Sequence, residues 1–168
     1  STALSANGAL YYWRMRYWDN KGLVSDWSEV ASFRMQRQPS PPTILYVDGF
    51  ENPLAINSNT PIFSAIYNDI NEHSATAYEI EVNTNNTFTG TVMWDTGKVS
   101  TTVTQGTRSP NYTYAGTTLT DSLNTYYWRI RFWDVDNLTG DWSDVNTFVD
   151  SPNHTYMKGL QLKGLQID

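Results

Sequence analysis

Two polar turns carry the densest runs of ligand-type atoms in the chain. "DVDN" offers Asp134, Asp136 and Asn137, and "NDINE" offers Asn68, Asp69, Asn71 and Glu72. Carboxylate and amide oxygens at this spacing suit a hard cation such as Ca2+. The same residue types are ordinary turn formers, because Asp and Asn side chains cap the backbone two residues on. A sister turn, "DNKG", has Lys21 where Asp136 stands, so cation binding is not a general property of the turn. Plain turn chemistry is the expectation, with Ca2+ on Asp134, Asp136 and Asn137 as the alternative and no other cofactor implied.

Catalysis has less to build on. His73 and His154 are the only histidines, both in polar loop-like surroundings, and no Ser/His/Asp spacing, HExxH motif or Gly-rich phosphate loop is present. Glu79 and Glu81 are paired carboxylates. Alternate residues of a strand share one open face, however, and do not flank a substrate cleft as a glycosidase pair must. The chain is not expected to be an enzyme.

A third constellation is aromatic and cationic: Tyr127, Arg129, Arg131 and Trp133, with Trp142 beyond the next turn. Flat aromatic faces suit sugar rings, and surface glycans are the partner that a binding platform would imply. The competing reading is a ladder in which indoles stack on guanidinium planes and clamp a hairpin. The ladder is favoured, because the array is written twice at the same spacing.

The elements that must position these residues follow from that repetition. "YYWRMRYWDNKGLVSDWS" begins at Tyr11 and "YYWRIRFWDVDNLTGDWS" at Tyr126, and the two copies align without a gap from Tyr11 to Phe33. In the second copy Tyr126, Trp128, Ile130 and Phe132 fall on one strand face, and Tyr127, Arg129, Arg131 and Trp133 on the other. The first set reads as core and the second as surface. The turn and a strand from Trp142 to about Val149 complete a hairpin, and Leu119 plugs the sandwich edge. Upstream, "TILYVDGF", "TPIFSAIY", "AYEIEVNT", "GTVMWDTG" and "NYTYAG" supply further strands, with Tyr78, Ile80 and Val82 inward and Glu79 and Glu81 outward. About seven short strands between Gly, Asn, Asp and Pro turns make an immunoglobulin-like β-sandwich, and no helical periodicity is sustained. If "AYEIEV" neighbours "YYWRIRFW", Glu79 and Glu81 face Arg129 and Arg131.

Composition agrees with strands. Only 17% of residues are charged, while seven Trp and eleven Tyr exceed what a generic core needs. The formal charge of −6 argues against nucleic acid as a partner. No apolar run is long enough to span a membrane, and "STALSANGAL" is not a leader peptide. With no cysteine there is no disulfide framework.

At "YYWRIRFWD", "GDWSD" and Phe148 the chain resembles fibronectin type III-like domains. The Arg-x-Arg strand followed by "SDWS" or "GDWS" is similar to the Arg/Trp ladder of cytokine-receptor type III domains. The order "PIFSAIYND", "AYEIEVNTNNTFTGTVMWDTGKV", "YYWRIRFWD" resembles type III-like repeats of large secreted or surface proteins of bacteria and phages. It is also similar to the accessory β-sandwich of bacterial α-L-rhamnosidases. The resemblance implies an all-β fold of type III kind: residues 1–36 as the last hairpin of a truncated copy, 37–150 as one complete domain, and 151–168 as a tail or the first strand of a further domain. It implies an extracellular, cell-surface or virion-surface setting. The leading expectation is a structural or adhesive repeat in a rod or fibre, its partners being further copies or neighbouring repeats. The alternative is a non-catalytic accessory module of a secreted polysaccharide-degrading enzyme.

Two segments are left to account for. Tyr11, Trp13, Met15 and Tyr17 form a core face with no facing sheet in the first copy. The tail "KGLQLKGLQID" carries Leu160, Leu162, Leu165 and Ile167 in short alternating pairs. Both are expected to be assembly surfaces, since an open edge is a template for added strands.

Overall fold

A computed structural model describes residues 3–4, 8–56, 58–119 and 123–150. The tail leucines and Ile167, and His154, lie outside the described residues. The chain divides into two compact units, Ser1–Arg37 and Gln38–Asp168.

The first unit is a two-stranded antiparallel hairpin, β1 (Leu10–Trp13) against β2 (Ala31–Arg34). Tyr11 pairs with Phe33 and Trp13 with Ala31. Its apolar residues stand open: Trp13, Met15 and Tyr17 are exposed, and Tyr11 is half-buried with its ring stacked on Phe33 at 5.8 Å.

The second unit is an immunoglobulin-like sandwich of β3 (Ser40–Val47), β4 (Ile62–Asn68), β5 (Ala75–Asn83), β6 (Val92–Asp95), β7 (Val99–Val103), β8 (Tyr112–Thr113), β9 (Thr125–Asp134) and β10 (Asn146–Val149). One sheet runs β3-β4-β8. The other runs β10-β9-β5-β6, with β7 also on β5. Eight strands are described where the sequence suggests about seven. The extra one, "VSTTV", continues the outer edge of β5 after the Asp95–Lys98 turn: β6 covers Glu81–Asn83, and β7 covers Ala75–Tyr78.

Alternation decides what is inside. Tyr126, Trp128, Ile130 and Phe132 of β9, Ile80 and Val82 of β5, and Phe63, Ala65 and Tyr67 of β4 are all buried, with Leu119 and Phe148 closing the core. Phe63 sits at the centre, its ring edge-on to Trp128 at 4.7 Å and to Phe148 at 5.7 Å. Tyr78 stacks on Tyr112 across the two sheets at 3.7 Å. Burial pushes the Tyr112 and Tyr114 hydroxyls up to about 12, so Tyr114 remains a neutral donor, to the Thr117 carbonyl at 2.6 Å.

Two boundaries differ from expectation. β3 begins at Ser40 and contains Pro41 and Pro42, which have no N–H for the ladder. Its pairing with β4 shifts register twice, and Asn68 Nδ2 donates instead to the Pro41 carbonyl and to Thr43 Oγ1. The last strand begins at Asn146 rather than Trp142. From Gly140 to Ser143 three residue steps on this side oppose two on β9: Gly140 N donates to the Phe132 carbonyl and Ser143 N to the Ile130 carbonyl. The extra residue interrupts regular pairing, as a bulge does. The Ile130 N–H is satisfied by Ser143 Oγ at 3.1 Å.

Candidate functional site

The β5–β9 ladder places Glu79 opposite Arg131 and Glu81 opposite Arg129. Arg129 holds Glu81 through Nε and Nη2 at 3.1 and 2.7 Å, and Arg131 holds Glu79 through Nε and Nη2 at 2.8 and 2.7 Å. The extra residue before Ser143 lays Trp142 across both guanidinium planes, 4.4 Å from Arg129 and 4.3 Å from Arg131. Phe88 covers Arg129 at 3.9 Å, and Trp133 lies 5.1 Å from Arg131 and 5.0 Å from Lys98. Tyr127, the fifth residue of the suggested platform, is half-buried on the same strand. Four of the five thus come together as an interleaved stack. Its ring faces are engaged by cations and its carboxylates by arginines, which is the ladder arrangement.

The turn residues Asp134, Asp136 and Asn137 are each engaged by different groups. Asp134 Oδ1 accepts from the Asp136 and Leu138 amides at 2.9 and 2.8 Å. Asp136 Oδ2 lies 3.2 Å from His73 Nδ1. Asn137 Oδ1 is taken by Lys98 Nζ. A different grouping forms, in which Asp69, His73 and Asp134 each place one ligand atom within 4.8 Å of the others. Topology makes it. Asp69 follows β4, His73 lies on the crossing to β5, and Ala75 at the start of β5 pairs with Asp134 at the end of β9. Both aspartates are buried, at 2% and 1% exposure. Tyr67 donates to Asp69 Oδ2 at 3.0 Å, and its hydroxyl is held above its ordinary range by burial first and then by the Asp69 and Asp134 charges. The sequence flags both turns but not their meeting.

Arg108 carries no sequence signal, yet it organises the other sheet. Its guanidinium stacks on Tyr46 at 3.7 Å and donates to the Ile44 carbonyl and Ser64 Oγ, both at 3.1 Å. Ile44 has a φ of 48°, a left-handed conformation that a β-branched side chain resists. An open groove of about 470 Å³ runs past Tyr46, Asp48, Ser64 and Arg108. Burial raises the Asp48 carboxyl against a smaller lowering by the Ile62 N–H.

Fold and ladder together define an immunoglobulin-like β-sandwich whose last hairpin is clamped by arginine, tryptophan and glutamate. The model of the Rha78A-like, N-terminal immunoglobulin domain matches residues 3–37 and 42–150, and the chain belongs to that family. An α-L-rhamnosidase of Alteromonas sp. (strain LOR) is 34% identical over 109 residues, covering 62% of this chain and 11% of that protein. The structure of the α-L-rhamnosidase from Dictyoglumus thermophilum superposes with a TM-score of 0.58 at 28% identity, over 69% of this chain and 13% of that one. The α-L-rhamnosidase of Streptomyces avermitilis, solved with L-rhamnose, gives a TM-score of 0.57 at 23% identity over 66% and 10%, a likeness of fold alone. The chain thus spans about a tenth of the length of these relatives.

Proposed function

We propose that this chain is a non-catalytic accessory module of a secreted, α-L-rhamnosidase-type enzyme. The carrying observation is the family match over 3–37 and 42–150. It favours the accessory reading over the structural or adhesive rod that the repeat suggests. Sheet order adds support for the fibronectin type III variety of sandwich: three strands, β3-β4-β8, face β10-β9-β5 with two short edge strands. The ladder supports the non-catalytic part. Glu79 and Glu81 are neighbours on one sheet face and each is tied to an arginine, so neither is placed to protonate or attack a glycosidic bond.

The test is the intact natural polypeptide. Mass spectrometry and peptide mapping are expected to find these residues joined to a much longer chain that hydrolyses an aryl α-L-rhamnoside. Removing residues 38–150 should leave turnover of that small substrate largely intact and lower the enzyme's thermal stability. A natural polypeptide of serial sandwiches with no glycosidase activity would restore the rod.

A further inference from the structure

The meeting of Asp69, His73 and Asp134 raises an electrostatic problem, for which the His73 imidazole is the one group of the three that can carry a positive charge. Two buried carboxylates approach each other, with a third, Asp136, beside the imidazole. Buried like charges at this range are strongly unfavourable unless a proton or a cation intervenes. Asp69 is well supplied, its Oδ1 accepting from the Asn71 amide at 2.6 Å and its Oδ2 from Tyr67. Asp134 is not. Its Oδ1 takes two amide donors, but its Oδ2 is buried and no donor among the described residues reaches it.

The N-terminal hairpin shows that this second oxygen is not required by the turn. Asp19 Oδ1 accepts from the Lys21 and Leu23 amides, both at 2.8 Å, and closes the equivalent turn in the same way. The turn therefore uses one oxygen. In the second copy the other oxygen is buried without a partner among the described residues, and the residue stands beside a carboxylate and an imidazole.

We propose that Asp69, His73 and Asp134 form a binding site for a divalent transition-metal cation of the Zn2+ or Mn2+ kind. Two carboxylate oxygens and an imidazole nitrogen are a mixed donor set that suits such ions, whereas Ca2+ and Mg2+ prefer oxygen alone. Three protein ligands leave a further position for water or for Asp136. Asp136 Oδ2 lies 3.2 Å from Nδ1 of the same ring. Such a cation would neutralise the paired aspartates. It would also tie the end of β4 in one sheet to the end of β9 in the other, in a chain without cysteines.

The experiment is thermal unfolding of the tag-free 168-residue chain after chelator dialysis, titrated separately with Zn2+, Mn2+ and Ca2+, with bound metal counted by elemental analysis. The expected result is one Zn2+ or Mn2+ per chain and a melting temperature that climbs with its concentration. His73→Ala and Asp134→Asn should abolish the climb. The latter keeps an oxygen for the Asp136 and Leu138 amides and offers an N–H towards Asp69, so it should fold. His154→Ala should leave the climb unchanged. No stoichiometric metal and no climb up to millimolar concentration would overturn the site, and stabilisation by Asp134→Asn under those conditions would show that the aspartates share a proton instead. A response to Ca2+ alone, indifferent to His73→Ala, would equally overturn the mixed donor set.

Discussion

The hairpin at 10–34 and the hairpin at 125–149 are one object in two settings. Tyr11 pairs with Phe33 as Tyr126 pairs with Phe148, and the register agrees along all four pairs. Met15 N donates to Ser28 Oγ as Ile130 N donates to Ser143 Oγ, both at 3.1 Å. Arg14 lies 4.3 Å from the Trp27 ring and Arg129 4.4 Å from that of Trp142. The copies differ where the second meets the rest of its sandwich. Position 25 is Ser, and its Oγ accepts from the Tyr17 amide. The equivalent residue is Gly140, where a Cβ would come within 2.9 Å of Pro39 Cβ and 3.0 Å of its carbonyl. Lys21 becomes Asp136 beside His73. Local hydrogen bonding is thus written into the hairpin itself, and positions 140 and 136 are among those that differ where the second copy meets its sandwich.

Burial is where the copies should separate most. Trp128 is fully buried against Phe63, while Trp13 is 45% exposed. Trp128→Ala is expected to cost about 3–5 kcal/mol as a large core deletion, and Trp13→Ala about 1 kcal/mol or less. Denaturant unfolding followed by circular dichroism measures both. Equal losses would break the comparison and mean that the first hairpin's apolar face is covered in solution as firmly as the second's.

The two serines sharpen it. Ser143 is buried, and its hydroxyl accepts from Ile130 N and donates to the Asp144 carbonyl. Ser143→Ala strands a buried N–H and should cost about 1–3 kcal/mol. Ser28 makes the same bonds in an exposed setting, where water replaces the lost partner, so Ser28→Ala should cost about 0.5 kcal/mol or less. Amide hydrogen exchange at Ile130 and Met15 reads the difference residue by residue. Faster exchange at Met15 than at Ile130 relative to each parent would contradict the role of burial.

What was legible in the sequence follows the same division. Strict alternation in "YYWRIRFW" and "AYEIEV" identifies both faces, and opposite charges at matching positions identify β5 and β9 as neighbours, because cross-strand pairing is a local rule. β7 is not legible: Ser100, Thr101 and Thr102 interrupt its apolar pattern, and only its pairing with β5 makes it a strand. The start of the last strand differs because Ser143 completes the ladder with a side chain, which periodicity does not register. Of the suggested cation set of Asp134, Asp136 and Asn137, the last is held by Lys98, which is remote in sequence. The Asp69–His73–Asp134 group was hidden because it joins two turns through the fold. Arg108 was missed for the same reason, since Tyr46, Ile44 and Ser64 reach it from two different strands.

The smallest expected difference lies in the ladder, and it tests whether the guanidiniums are held by charge or by rings. Arg129 has both Glu81 and Trp142, at 2.7 and 4.4 Å. Within the first unit, Arg14 stands over Trp27 and Arg16 over Trp18 and Trp27, at 4.8 and 4.6 Å, with no carboxylate paired to either among the described residues. A partly buried Arg–Glu pair across strands contributes about 0.2–1 kcal/mol, and salt screens it. Guanidinium–indole stacking contributes about 0.5–1 kcal/mol at exposed sites. Its close, partly dispersive contact should respond less to ionic strength. A double-mutant cycle on Glu81 and Arg129 is therefore expected to show coupling that shrinks as sodium chloride rises to molar concentration. Cycles on Arg129 with Trp142 and on Arg14 with Trp27 should keep most of theirs and agree with each other. If the Arg14–Trp27 coupling vanishes while Arg129–Trp142 persists, the ring stack depends on the carboxylates that orient Arg129 from β5. The first hairpin would then carry the residues of the ladder without its energy.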